Sequence, residues 1–281
     1  MSTESQAVYE AIGKNQGEGQ RLEEQYPLFK KYIRKDRVIF DEAVTLGDNA
    51  VVLDVGTGAG LNIVHGSSIL LKPCLPPSPS MLSTPPLPSS PQSIPKTSFF
   101  AKHSGTALPQ TWTNKFDFIN QSLLAGCLTR DDWIQDLQEL FRVTKPGGHI
   151  QLFEPSFESW DCPPNSANGK MKSMYKVLFD NTSLIYDLGV KLPHMLLDTG
   201  FVVVGQHKST FPVDTNDGAP VQQCVGMMIR WLRNLQPPIL RFGLLGSAEE
   251  YESLLKEMQE EWNHGVPTEN FFVIHARKPV A

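Results

Sequence analysis

The sequence predicts an α/β domain with a mostly parallel sheet and helices on both faces, on three observations. Short β-branched or aromatic runs alternate with longer amphipathic stretches through most of the chain, the pattern of strands joined by crossover helices. One such run, AVVLDV at 50–55, ends in the glycine burst GTGAG, as a strand covered on both faces does when it feeds a ligand-binding turn. The last two strand-like runs, at 201–213 and 270–277, have little helix after them, which predicts an antiparallel edge to the sheet.

Taken in order, residues 1–20 are polar and read as a flexible N-terminus, with one domain over 21–281. Leu22, Tyr26, Leu28, Phe29 and Ile33 recur at helical spacing, and Pro27 should bend or restart that helix. VIFDEAV at 38–44 fits a further short helix, and Gly47, Asp48 and Asn49 make a turn before the first strand. SFFAKHSG and KFDFIN are the next strands after the segment discussed below. TRDDWIQDLQELFRVT is a helix with Trp133, Leu137, Leu140 and Phe141 on one face and Thr129 with Asp132 as its cap. KPGG breaks the chain before the strand HIQLFEP. A long helix should run from Gly169 to a stop at Gly189, and a short one over PHMLLDTG to Gly200. VQQCVGMMIRWLRNL is helical up to Pro237 and Pro238, and the helix from Ser247 opens on a capping box with Glu250.

The 281 residues are 40% hydrophobic and 20% charged, enough for a sizeable core. A net charge of -5 argues against nucleic acid as the main partner, since phosphate binding wants a basic face. No apolar run approaches a membrane span and no signal core opens the chain, so a cytoplasmic protein with no membrane partner is expected. The four cysteines lack paired or metal-ligand spacing, so neither a disulfide framework nor a metal site is expected.

The glycine turn needs a ligand. Gly56, Gly58 and Gly60 let backbone pass close to a bound group, with positive φ available. A dinucleotide wants G-x-G-x-x-G, but here the spacing is G-x-G-x-G with Leu61 at the third glycine's place. Asp54, just before the turn, would repel a pyrophosphate and suits a cation or ammonium group.

VLDVGTGAG resembles motif I of the class I S-adenosylmethionine-dependent methyltransferases. The segment from FDFIN to TKPGGHIQLFEP is similar to that family's fourth strand, following helix, glycine turn and fifth strand. RLEEQYPLF and HARKP resemble the entry helix and last strand of fungal secondary-metabolism methyltransferases, the group that also holds the velvet-complex regulators. The resemblance implies a Rossmann-like fold, S-adenosyl-L-methionine as cofactor, and a small-molecule acceptor in secondary-metabolite biosynthesis. It implies that Asp54, Gly56, Thr57, Gly58 and Gly60 serve the cofactor's amino acid end. Asn120 and Gln121 would then face the methyl-bearing part, with Ser104, or alternatively His103, near the adenine and Arg21 and Gln25 as a lid.

One part of the pattern is missing. The family expects an acid at the end of the second strand to hold both ribose hydroxyls, yet residues 55–116 contain no Asp or Glu. Within them, 72–95 holds nine of the 22 prolines and six serines, a composition foreign to a packed helix or central strand. Residues 61–97 nonetheless have the length of a helix, a strand and their connection. A shifted reading frame or mis-spliced exon would account for this, and so would real divergence with a weakened site. A regulatory protein of the same fold is therefore an alternative reading; a nicotinamide-dependent oxidoreductase fits the turn less well.

Methyl transfer from a sulfonium releases a neutral leaving group, so alignment can supply much of the catalysis and a base matters only for an acceptor that must lose a proton. No catalytic residue stands out. Glu154, at the end of the fifth strand, and His194 are the substrate-side candidates; His149 should be remote. Trp160, Met171, Met174 and Tyr175 are candidates for an apolar acceptor pocket.

Overall fold

The computed structural model describes residues 18–47, 49–56, 67–72, 99–211, 221–262 and 268–280. Seven strands form one sheet in the order β3-β2-β1-β4-β5-β7-β6. They are β1 (Val51–Val55), β2 (Ser67–Lys72), β3 (Phe99–Lys102), β4 (Phe116–Ser122), β5 (Thr144–Ser156), β6 (Val202–Phe211) and β7 (Glu269–Arg277). β1 to β5 pair in parallel, and β7 runs antiparallel to both neighbours. The last two strands thus form the expected antiparallel pair at the edge of the sheet, with β7 inserted between β5 and β6 and β6 outermost.

The helices follow the apolar periodicity. They are α1 (Glu18–Leu28), α2 (Arg130–Val143), α3 (Ala167–Asn181), α4 (Leu188–Thr199), α5 (Val221–Arg233), α6 (Gln236–Arg241) and α7 (Ala248–Trp262). Thr129 and Asp132 form the expected capping box of α2, each side chain accepting from the other's backbone N–H. After Pro27 the first helix changes to a π turn, Phe29–Ile33, so the proline marks a change of hydrogen bonding rather than a stop. α2 and α4 pack together, and α4 lies against β5, β7 and β6.

Five expectations need correction. VIFDEAV is not a helix but an irregular strap across the sheet, because Phe40 N–H is taken by Gln151 Oε1 at 2.9 Å. β5 runs through KPGG from Thr144, with Gly147 at φ +77° letting the strand irregularity form. The long helix stops at Asn181, and Gly189 lies inside α4, where a Cβ would come within 2.5 Å of Phe272. Pro237 and Pro238 do not merely end a helix; they sit in the first turn of α6, where no N–H is needed. Gly200 does end α4 at φ +107°. Glu250 N–H bonds Ser247 Oγ at 3.2 Å, but the Glu250 carboxylate accepts from Gly246 N–H rather than closing a box on Ser247.

Candidate cofactor site

Alternation along each strand sends successive side chains to opposite faces, and the register then builds a polar band across the sheet. Asp54 lies beside Asn120, Asn120 beside Gln151, and Gln151 beside His275. All four are buried. Asn120 Nδ2 donates to Asp54 Oδ1 at 2.7 Å, and Gln151 Nε2 donates to Asn120 Oδ1 at 3.0 Å. Gln151 also donates to Val38 O at 2.9 Å. The strap covers this band. Its Asp41 meets His149 at 2.8 Å and His275 at 3.6 Å. Bonds from Ala43 N–H and His149 outweigh burial and hold the Asp41 carboxyl below the usual range.

Asp54 is 1% exposed, at the last positions of β1. Burial pushes its pKa up to about 7, against the pull of Asn120 and of the Arg34 guanidinium. Its second oxygen, Oδ2, has no hydrogen-bond partner among the described residues. Such an acceptor costs on the order of 1–3 kcal/mol unless something fills it. Gly56 follows at φ +72°, where a Cβ would stand 3.0 Å from both Leu124 Cδ2 and Ser122 O. Only glycine fits that contact between the β1 turn and the end of β4 without strain. Thr57, Gly58 and Gly60 lie outside the described residues.

Arg34, which sequence reasoning passed over, reaches this site from the π turn. It is buried, donates from Nη2 to Val38 O at 2.8 Å, and lies over the rings of Phe40 and Phe153 at 5.9 and 5.7 Å. Burial lowers its pKa, with the charges of Asp54 and Tyr26 opposing. Tyr26, half-buried on α1, feels Arg34 and Asp54 in turn. Gln25 is buried on the same helix; Arg21 is placed on α1 by its backbone alone.

The other candidates divide. Gln121 points away from Asn120 and donates to Asp136 Oδ2 of α2 at 2.8 Å, so it is not brought together with Asp54. Asp136 is pushed to about 7 by burial, only partly offset by that bond. Glu154 is buried and accepts from Leu124 N–H at 2.8 Å and Ala125 N–H at 3.0 Å, which ties the loop after β4 to β5. Burial raises it to about 8. His194 is exposed on α4. Ser104 follows β3 and shares a 2.8 Å hydrogen bond with Thr106. His149 pairs with Phe118, well before the carboxyl ends of β4 and β5, and is remote as expected. Trp160, Met171, Met174 and Tyr175 are all buried near α3.

The strand expected to end in the ribose acid ends at Lys72, beside Lys102 of β3. Residues 73–95 of the Pro/Ser-rich segment lie outside the described residues. Among the described residues no group of three or more His, Cys, Asp or Glu could hold a metal ion, and no helix is long and apolar enough to cross a membrane.

The strand order, Gly56 at positive φ after β1 and the inserted antiparallel β7 define a Rossmann-like class I methyltransferase fold. The comparisons agree with that class. The chain is 24% identical over 285 residues to N-methyltransferase gliN of Aspergillus fumigatus, covering 93% of this chain and 94% of the relative. It is 31% identical over 140 residues to N-methyltransferase sirN of Leptosphaeria maculans, covering 49% of this chain and 46% of that one. Among solved structures, a chain from the complex of the Haloferax volcanii Trm112 methyltransferase activator with a methyltransferase superposes at a TM-score of 0.50 and 13% identity, covering 92% of this chain and 93% of the other. No family model matches.

Proposed function

We propose that the protein transfers a methyl group from S-adenosylmethionine to nitrogen of a small-molecule acceptor in a fungal secondary-metabolite pathway. Nitrogen is favoured because both curated relatives are named N-methyltransferases. One observation carries the cofactor assignment. Asp54 is a buried carboxylate at the end of β1, with one oxygen held by Asn120 and the other unpartnered, two residues before Gly56 at positive φ. That is a fitting acceptor for an ammonium group, which would also restore the charge that burial suppresses. Asp54, Gly56 and Asn120, with Thr57, Gly58 and Gly60, would hold the amino acid end; Ser104 would serve the adenine. Bound there, the cofactor supplies an electrophilic methyl on sulfonium. Gln121 and Glu154 support the loop and helix behind the site. His194, exposed on α4, remains a substrate-side candidate only as an expectation from sequence.

The test is calorimetric titration of the full chain with S-adenosylhomocysteine, beside a nicotinamide dinucleotide and the Gly58→Val variant. Binding of the first alone, lost in the folded variant, is the expected result. Binding of the dinucleotide instead, or unchanged affinity in Gly58→Val, would overturn the assignment. A second reading, a regulatory protein that keeps the fold without turnover, is favoured by Lys72 standing where an acid is expected.

A further inference from the structure

We propose that the junction at the carboxyl edge of β5, where Trp160, Tyr186 and Glu269 leave buried polar atoms unpartnered, recognises the acceptor through a basic amine seated against the Glu269 carboxylate. The proposal rests on the methyltransferase reading and names the substrate class for it.

The edge is the right one. β7 is antiparallel, so its first residues lie where the parallel strands end. Asn270 stands opposite Ser156, and Asn270 N–H bonds Ser159 Oγ at 2.8 Å. This junction lies five residues beyond Gln151 of the polar band, roughly 17 Å along the strand. Trp160 follows the short turn Phe157–Ser159 that caps β5.

Three polar atoms there lack hydrogen-bond partners among the described residues: Trp160 Nε1, Tyr186 Oη and Glu269 Oε1. Orphaned buried groups are rare in folded proteins, and three at one strand edge ask for a ligand. Tyr186 and Glu269 each keep 9% exposure, whereas Tyr175, which shares the Phe157 ring with Tyr186, keeps 1%. The two interact electrostatically, and Glu158 and Cys162 also face Tyr186. Lys172, which reaches this turn, is already committed: its Nζ donates to Glu158 O at 3.0 Å and Trp160 O at 2.7 Å. Burial alone raises Glu269, to about 8, with no cation pulling it back.

Rings complete the chemistry. Phe157 lies 6.1 Å from Tyr186 and stacks at 5.6 Å on Trp231 of α5, and Trp160 meets Tyr175 edge-on at 5.9 Å. A carboxylate among aromatic faces suits a cationic nitrogen attached to an apolar body. Trp160 N–H and Tyr186 O–H remain to donate to a carbonyl or hydroxyl on the same molecule.

The experiment uses phenethylamine and its neutral counterpart 2-phenylethanol as probes of the full chain at pH 7, read by saturation-transfer NMR. Calorimetry in two buffers of different ionisation enthalpy counts protons. The amine should bind about tenfold or more tighter than the alcohol, the worth of one hydrogen bond to a charged group. It should also release close to one proton, because Glu269 must ionise to receive it. Glu269→Gln, folded by circular dichroism, should erase both the preference and the proton release; Tyr186→Phe should keep them. Equal binding of the two probes, binding of neither, or a preference that survives Glu269→Gln would overturn the proposal. S-adenosylhomocysteine is titrated alongside. If it binds and no amine preference is seen, the amine site fails and the methyltransferase reading stands. An amine preference without cofactor binding removes the acceptor role with the reading on which it rests.

Discussion

Replacing Asp54 with Asn should make the protein's stability less dependent on pH while weakening its cofactor site. In the folded chain burial moves the Asp54 pKa from 3.8 to about 7. A carboxyl whose folded pKa is raised contributes stability that is fully present below 3.8 and is lost as pH rises through about 7. The full span is about three pH units, or ~4 kcal/mol at ~1.36 kcal/mol per unit. Between pH 5 and pH 8 about two of those units are traversed, so wild type should lose ~3 kcal/mol through this group. Asn keeps a carbonyl oxygen for Asn120 Nδ2 but adds an unpartnered N–H, a cost of ~1–3 kcal/mol that does not vary with pH. Asp136, Glu154 and Glu269, also raised, are present in both proteins and cancel. Urea denaturation of both proteins at pH 5 and pH 8 gives the measurement. The difference in unfolding free energy should move by ~3 kcal/mol in favour of Asp54→Asn as pH rises. A difference that stays within ~0.5 kcal/mol at the two pH values would mean that Asp54 titrates normally, and the case for it as an ammonium acceptor would go with it.

Further outcomes follow from the same geometry. Gly56→Ala should cost ~1–3 kcal/mol, because it forces a side chain into φ +72° and against Leu124 and Ser122; urea melts unchanged from wild type would count against that placement. Arg34→Met should lose ~1.5–3 kcal/mol with the Val38 bond, and more at pH 8 than at pH 5, since Asp54 loses the cation that favours its charge; equal losses at both pH values would separate Arg34 from the site. Removing the ribose hydroxyls from S-adenosylhomocysteine should change affinity little, as residues 55–116 contain no acid. A ratio on the order of a hundred, ~2.7 kcal/mol, would show that another carboxylate holds the ribose.

Local chemistry was legible, and so was the antiparallel pairing of the last two strands; the remaining long-range pairing was not. The strands around Asp54 and Asn120, the Thr129 cap and the Gly200 stop each follow from a few neighbouring residues. The insertion of β7 beside β5 does not, because the two lie far apart in sequence. The strap was misread for the same reason. VIFDEAV has helical spacing, but Gln151, more than a hundred residues on, takes its backbone groups. The polar band did leave a signal. Asp54, Asn120, Gln151 and His275 are each a polar residue inside an apolar strand, a pattern that asks for partners on the covered face. Gln121 was placed beside Asn120 by adjacency, although neighbours on a strand face opposite ways. Glu269 and Tyr186 gave no local signal, and only the fold brings them to one edge.

The insertion of β7 also sets an order of assembly. During synthesis β5 emerges early, with one edge paired to β4 and the other open, and it stays open until the final strand is made. More than a hundred residues separate Ser156 from Glu269, on the order of 5–20 s of translation at ordinary speeds. β6 waits in the same interval with no partner strand at all, and five of its ten residues alternate with a half-covered set, leaving Val202 and Val204 outside. Two unpaired edges held for seconds are templates for wrong pairing between nascent chains. Expression yield should therefore depend on the integrity of Glu269–Arg277 more than on any comparable stretch, and a ribosome stalled before Glu269 would release a chain whose outer strand β6 has nothing to pair with.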